Sequence, residues 1–153
     1  MTKPIPEGMS GLIPHLVCSD ASAAIAFYTR AFGAKELFRM PGPDGKLMHA
    51  EIQIGDAHVM LGNEAPQHNS LGPLTLKGTP VTLHRYVEDV DAAFAKALEA
   101  GAKAIMPPTD MFWGDRYGQV EDPFGHRWAL ATHQRDLTPA EIEAGMKAQF
   151  CGA

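Results

Sequence analysis

The sequence predicts an α+β protein in which two βαβββ modules form an open mixed β-barrel or cleft, with the helices outside and one more helix at the C-terminus. The main observation is a repeat, because SDASAAIAFYTRAFGAKELF (19–38) matches EDVDAAFAKALEAGAKAIM (88–106). A histidine stands five residues before the first aspartate of each match, His15 in one copy and His84 in the other. A repeat of this size indicates two similar supersecondary units. We expect both in a single domain over residues 1–153.

The first module is predicted to cover about residues 11–62. LIPHLVC is typical of a strand, and Asp20 after it is a good helix N-cap. Apolar residues then follow at helical spacing until Gly33. AKELFRM, KLMHAEIQI and AHVMLG are predicted to be the next three strands, the last two joined by a Gly-Asp turn.

The second module, over about residues 79–132, repeats this order. TPVTLHRYVED is predicted to be a strand that ends at the N-cap Asp89, and Gly101 ends the helix. AKAIMPP is the next strand, and RYGQVED and HRWALAT form a hairpin about DPFG. NEAPQHNSLGPLTLKG, between the modules, is predicted to be a mobile surface loop.

A last helix is predicted over about residues 139–149, with Thr138 as its N-cap and a capping box completed by Glu141.

Composition and charge exclude several classes of protein. The net charge of −5 and the absence of basic runs argue against nucleic acid as a partner. No apolar run approaches the about 18 residues that a membrane span needs, and the first residues show no signal peptide. We therefore expect a cytoplasmic protein that does not associate with a membrane.

The motifs together resemble a known superfamily. Paired βαβββ modules, FYTRAFGAKE after the first strand and DPFGHRW before the last strand are similar to the vicinal oxygen chelate superfamily. That group includes glyoxalases, bleomycin-resistance proteins and extradiol dioxygenases. MFWGDRYGQVEDPFGHRWALATH followed by DLTPAEI resembles its PhnB-like branch. The resemblance implies a homodimer whose cleft holds a small organic molecule.

The resemblance also implies where a metal would be held. The metal enzymes of the superfamily place one ligand on the first and one on the last strand of each module. Those positions correspond here to Ile13, Met60, Thr82 and Ala129. None of these side chains is a competent ligand for a catalytic divalent metal. The sequence therefore predicts a cleft without the usual metal site and without a cofactor.

Two interpretations of the paired histidines stay open. His15 and His84 lie two residues beyond the empty first-strand positions, so period two keeps them on the same side. In one interpretation they hold a relocated divalent metal, in a metal-dependent lyase, isomerase or dioxygenase, with a third ligand from His58, Glu64 or His133. In the other they are polar contacts in a ligand pocket or are hydrogen-bonded at the strand interface.

Further candidates line the expected cleft. Trp113, Asp115, Arg116 and Tyr117 occur together in MFWGDRYG. An aromatic residue beside an arginine and an aspartate suits an anionic or planar ligand, or else an Asp–Arg pair pins a loop. Glu51 is either solvent-exposed or a general base in the cleft. No residue is assigned a catalytic role. The favoured interpretation is a small-molecule binding protein of the glyoxalase/bleomycin-resistance type.

Overall fold

The structure, a computed structural model, describes residues 1–152. The chain divides into two compact units. One comprises residues 1–80 with 123–125, and the other residues 81–122 with the chain from 126 onward. Each unit contains one four-stranded sheet. That the whole chain forms a single domain stays a prediction.

The first unit contains one mixed sheet with a helix on one face. Its strand order is β1-β4-β3-β2, in which β1 and β4 are parallel and the other pairs are antiparallel. The elements are β1 (His15–Cys18), α1 (Ala21–Phe32), β2 (Lys35–Pro41), β3 (Leu47–Ile54) and β4 (Ala57–Asn63).

Local chemistry explains where α1 begins and how it packs. The Asp20 carboxylate accepts a hydrogen bond from the Ala23 amide at 3.0 Å, which satisfies one of the free donors of the first turn. The side-chain oxygen of Asn63, at the end of β4, accepts from the Ala21 amide at 3.2 Å. Tyr28 is one of the aromatic and aliphatic side chains that α1 buries in the core of the unit.

The segment 123–125, from the turn of the second hairpin, is part of this first unit. The Phe124 ring lies 6.4 Å from that of Phe27 in an edge-to-face contact. The sequence repeat placed this turn within the second module, because the turn is continuous in sequence with the strands it joins.

The connection between the modules has more structure than the predicted surface loop. It contains a 3₁₀ turn (Pro66–His68) and a short helix α2 (Pro73–Leu76). Proline occupies the first helical position of both, where its fixed φ is already suitable and no amide donor is lost.

The second unit repeats the topology of the first. Its strand order is β5-β8-β7-β6, with β5 and β8 parallel. The elements are β5 (Thr82–Tyr86), α3 (Val90–Ala100), β6 (Lys103–Asp110), β7 (Asp115–Glu121), β8 (Arg127–His133) and α4 (Pro139–Phe150). The α+β class, the order of the elements and the C-terminal helix are thus confirmed.

The helices of the second unit begin at the predicted caps. Asp89 accepts from the Ala92 amide at 3.0 Å. Thr138 and Glu141 form a reciprocal capping box at the start of α4. Of the helices within residues 1–152, none has the length and apolar character needed to cross a membrane.

Candidate functional site on the second sheet

The sheet registers bring equivalent residues of the two modules into matching rows. In the second sheet the row runs from His84 through Ala129 and Gln119 to Met106. In the first sheet it runs through His15, Met60, Glu51 and Phe38. Residues paired across neighbouring strands project from the same face. Each row therefore lies on one face of its own sheet.

The registers also locate the family-derived positions on the first strands. Ile13 precedes β1, and His15 is the residue paired with Met60. Thr82 pairs with Arg127, whereas His84 is paired with Ala129. The two histidines thus stand directly opposite the last-strand positions.

Four rings gather on this face of the second sheet, and we call them the ring cluster: His84, Tyr86, Trp113 and Tyr117. The His84 ring lies 4.8 Å from that of Tyr86 and 5.8 Å from that of Tyr117. Trp113 meets Tyr117 edge to face at 5.6 Å. Such separations are those of favourable aromatic pairs.

Small residues on β8 explain why rings from different strands can meet. β5 and β7 flank β8, so their backbones are about 9–10 Å apart. Ala131 pairs with Tyr86 on one side and Tyr117 on the other, and Ala129 pairs with His84. Both alanines are fully buried. A larger side chain at either position would occupy the space in which the rings approach one another.

A buried carboxylate, Asp115, anchors the cluster by its polar edges. It is 3% exposed. It accepts hydrogen bonds from the Tyr86 hydroxyl at 2.8 Å and the Trp113 indole N–H at 3.1 Å. The Nδ1 atom of His133 lies 2.8 Å from its other oxygen. Burial alone would raise the pKa of Asp115, but hydrogen bonds from His133, Tyr86 and Trp113 outweigh it and leave the pKa below its ordinary value.

The hydrogen bonds to Asp115 also shift the pKa values of Tyr86 and His133. The hydrogen bond to Asp115 raises the pKa of the Tyr86 hydroxyl, so Tyr86 remains a donor. His133 also contacts Asp136 through Nε2 at 2.9 Å. Hydrogen bonds to Asp136 and then Asp115 raise the pKa of His133 above its ordinary value. These carboxylates therefore stabilise the cationic form of His133 relative to that of a free histidine.

The centre of the face carries one neutral polar pair. The Gln119 side-chain amide donates to the Tyr117 hydroxyl oxygen at 2.6 Å. Tyr117 therefore keeps its own hydroxyl proton for an acceptor, and the Gln119 carbonyl oxygen can accept.

An open groove of about 850 Å³ lies at the edge of the sheet next to the cluster. It is lined by Arg85, Tyr86, Val87, Glu88, Thr132 and His133.

Arg116 does not join the cluster. It alternates with Asp115 and Tyr117 along β7 and therefore projects from the opposite face. Its guanidinium forms two hydrogen bonds to Asp91 of α3, at 2.6 and 2.9 Å, and one to Asp110 at 3.1 Å. These carboxylates raise the pKa of Arg116. The arginine ties α3 and β6 to β7.

The equivalent face of the first sheet has a different character. The rings of His15 and His49 stack at 5.8 Å, and His49 Nε2 lies 3.3 Å from a carboxylate oxygen of Glu51. Burial, followed by repulsion from His49, lowers the pKa of His15. Glu51 is half-buried and occupies the position that Gln119 has in the second sheet. The matching rows have therefore diverged in charge.

The side chains in the two matching rows do not fit the catalytic divalent metal that the metal enzymes of the vicinal oxygen chelate superfamily hold. The partner of His15 in register is Met60, and that of His84 is Ala129. Neither is a ligand for a catalytic divalent metal. Within residues 1–152, no three His, Cys, Asp or Glu side chains are grouped so that they could hold a metal ion.

Comparison with known proteins places the chain in a family. The model of the glyoxalase/bleomycin resistance protein/dioxygenase superfamily matches residues 12–130. The chain belongs to this superfamily. The predicted resemblance is thus confirmed.

Relatives of this glyoxalase-superfamily chain agree with that assignment. Protein Mb0911c of Mycobacterium bovis is 52% identical over 144 residues, which cover 92% of this chain and 95% of the relative. The crystal structure of TioX from Micromonospora sp. ML1 is 30% identical, with a TM-score of 0.64, and covers 81% of this chain and 98% of TioX. The PhnB protein from Bacillus cereus shares the fold, with a TM-score of 0.64 at 19% identity over 80% of this chain and 99% of that one.

Sequence reasoning identified part of the site of this glyoxalase-superfamily member. It named His84, Trp113 and Asp115, which the structure brings together through intervening residues. It also named Tyr117 beside them, and His133 only as one candidate for the third metal ligand. It did not name Tyr86 and Gln119. Alternation along the strands could have found both of them, because Tyr86 follows His84 by two residues and Gln119 follows Tyr117 by two.

Proposed function

We propose that the protein binds a small planar organic molecule against the ring cluster of the second sheet and holds it without a metal. The observation that carries the proposal is the grouping of four rings, two of which are held by hydrogen bonds to one buried carboxylate. Ligand sites in proteins are mostly apolar and aromatic surfaces with a few well-placed polar groups. The ring cluster, with its floor of Ala129 and Ala131, has this composition.

The contacts of the cluster favour a flat ligand that is neutral where it meets the sheet. Aromatic faces bind flat rings by stacking. The carboxylate of Asp115 already has three hydrogen-bond partners, so it does not need a charged group of the ligand. Arg116 forms ion pairs with two carboxylates on the other face. Tyr117 and Gln119 remain as one donor and one acceptor. A planar heterocycle with an adjacent donor and acceptor satisfies both.

The proposal includes a subordinate role for the matching face of the first sheet. His15, Glu51 and Met60 lie in the row equivalent to that of His84, Gln119 and Ala129. We assign these side chains to contact with a small polar ligand on this face. The face carries a carboxylate and two imidazoles, so it suits such a ligand better than a flat neutral one.

A screen of planar compounds tests the proposal. Saturation-transfer NMR with a library of neutral heteroaromatics, each paired with its saturated analogue, should find planar compounds that bind while the saturated ones do not. Tyr86→Leu and Tyr117→Leu should each weaken the best binder about tenfold, since one aromatic pair contributes about 1–1.5 kcal/mol.

Phe38→Leu is the matched control. Phe38 is an exposed ring on the edge strand β2 of the first sheet, outside the ring cluster. Its replacement should change affinity less than about twofold. If Phe38→Leu loses binding while Tyr86→Leu and Tyr117→Leu bind as well as the unaltered protein, the site lies on the first sheet. A library without a planar binder would reject the proposed ligand class.

A further inference from the structure

His133 stands between two carboxylates, and this geometry fixes its charge. Nδ1 lies 2.8 Å from Asp115 and Nε2 lies 2.9 Å from Asp136. An ionised carboxylate only accepts hydrogen bonds, and a neutral imidazole has a single N–H to donate. Both contacts can be hydrogen bonds at once only when His133 carries two protons on its ring. The bridge from Asp115 to Asp136 therefore exists only with the imidazolium.

The bridge joins two segments that also meet through their backbones. The amides of Gln134 and Arg135 both donate to the Gly114 carbonyl oxygen at 3.0 Å. Gly114 has φ 103°, and a Cβ there would collide with the Arg135 carbonyl oxygen. Residues 134–138 thus lie directly on the loop that carries Trp113. We call residues 134–152 the C-terminal arm.

The arm contacts the same loop a second time through α4. Gly145 packs on Phe112, where an added Cβ would stand 3.0 Å from the Phe112 Cβ. The rings of Phe112 and Phe150 lie 6.1 Å apart, edge to face. The position of the arm and that of Trp113 are therefore linked through one short loop.

We propose that Asp115, His133 and Asp136 form a proton-dependent latch, in which protonated His133 fastens the C-terminal arm to the loop that carries Trp113. Loss of the proton opens the latch and weakens ligand binding at the ring cluster. The effect on the ligand rests on the function proposed above, whereas the latch itself does not. Asp115 acts as a positioning residue, since it holds Tyr86 and Trp113 by their polar edges.

Asp136 is the side at which the latch opens. Asp115 is buried and is also held by Tyr86 and Trp113, so it cannot move away from His133. The Asp136 side chain is fully exposed and can turn into water. A neutral His133 therefore keeps its single N–H on Asp115. Its other ring nitrogen then presents a lone pair to the Asp136 carboxylate, so the hydrogen bond between His133 and Asp136 is lost. The loop then becomes less ordered, and ordering it adds a cost to ligand binding.

The sign of the pH dependence follows from the surrounding charges. Asp136 and Asp115 together raise the pKa of His133 above about 6.5. The latch is thus fully closed below about pH 6.5 and opens as pH rises through the higher folded-state pKa. Other titratable groups near His133 are in the groove lining, in β5 and in the arm: Arg85, Tyr86, Glu88 and Arg135.

The experiment is an NMR pH titration of the full chain without ligand. The His133 Cε1–H resonance should titrate with a midpoint above about 6.5. Backbone ¹⁵N relaxation of residues 134–138 should show a more mobile arm above that midpoint, while the Trp113 indole N–H keeps its hydrogen-bonded shift. In Asp136→Asn, the His133 midpoint should fall and the arm should show the same mobility at all pH values.

Glu143→Gln is the matched control, because Glu143 is an exposed carboxylate of the arm that pairs with Lys147 away from the latch. It should leave the His133 midpoint unchanged. A His133 midpoint at or below about 6.5, or arm mobility that does not vary with pH, would overturn the latch. An Asp136→Asn titration identical to that of the unaltered protein would do the same.

The consequence for binding is measured separately. The affinity of the best planar compound should fall about fivefold from below to above the His133 midpoint, and it should stay constant in Asp136→Asn. Constant affinity in the unaltered protein, with a latch that opens, would reject the coupling to the ligand. If no planar compound binds, the proposed function fails, and the titration without ligand still decides the latch.

Discussion

The hydrogen bond from Tyr86 to Asp115 gives the sharpest test of the geometry of the cluster. Tyr86→Phe keeps the ring and removes only the hydroxyl that donates to Asp115 at 2.8 Å. Hydrogen bonds to charged groups contribute about 1.5–3 kcal/mol. Tyr86 is 60% exposed, so water competes for the hydroxyl, and Asp115 keeps two other donors. We therefore expect a loss of about 1 kcal/mol in the free energy of unfolding.

Urea denaturation followed by circular dichroism measures this loss. A change of about 1 kcal/mol lowers the midpoint by about 0.5 M urea with an unchanged m-value near 2 kcal/mol/M. In an Asp115→Ala background, Tyr86→Phe should cost less than about 0.3 kcal/mol, because the acceptor is gone. Equal costs in both backgrounds would show that Tyr86 stabilises the fold through its surroundings rather than through Asp115.

The pH dependence of the same difference provides a second check. Asp115 has a folded-state pKa below its ordinary value. Its contribution to stability is therefore present above about pH 4 and is lost as pH falls through the folded-state pKa. The difference between the unaltered protein and Tyr86→Phe should stay constant from about pH 8 to 4.5 and shrink below about pH 4. A difference that disappears near pH 6–7 would refute the assignment to Asp115 and point to His133.

Three further predictions concern the repeat, the metal and the assembly. Asp20→Ala and Asp89→Ala should each lower stability by about 1 kcal/mol in thermal unfolding, since both carboxylates cap a helix in the same way; a loss at only one position would contradict the equivalence. Untagged protein should contain well under one equivalent of transition metal by mass spectrometry, whereas one equivalent that disappears in a His15→Ala/His84→Ala double variant would support the metal-dependent alternative. Sedimentation at micromolar concentration should show a homodimer, and a purely monomeric species would reject it.

Features that depend on neighbouring residues could be predicted from the sequence. The caps at Asp20 and Asp89 need only the next helical turn, and the repeat shows twice where the helices begin. The hairpin turn is similar, because the Asp122 carboxylate accepts from the His126 amide and from the indole of Trp128, all within seven residues. Trp128 itself is buried beside this turn.

Features that depend on strand pairing could not be predicted in this way. The contact between Tyr86 and Asp115 joins residues 29 positions apart, and it exists because β5 and β7 both flank β8. The row that contains His15 is set by the pairing of β1 with β4, whereas the family resemblance implied Ile13 as the first-strand position. The sequence also did not show which face of the sheet Arg116 projects from, because its partner Asp91 belongs to a helix rather than to the same strand.

Divergence within the repeat supports the second unit as the proposed site of the flat ligand. Equivalent positions hold Met60 and Ala129 on the last strands, and Glu51 and Gln119 on the third. In the second unit, the alanine opens space above β8 and the glutamine removes a charge, and both changes favour a flat neutral surface. In the first unit, the larger side chain of Met60 occupies the corresponding position, and the carboxylate of Glu51 contacts His49. The same backbone thus supports a stacking surface in one unit and a charged surface in the other. Under the proposed function, the flat ligand therefore binds to the second unit, where Asp115 also holds Tyr86 and Trp113.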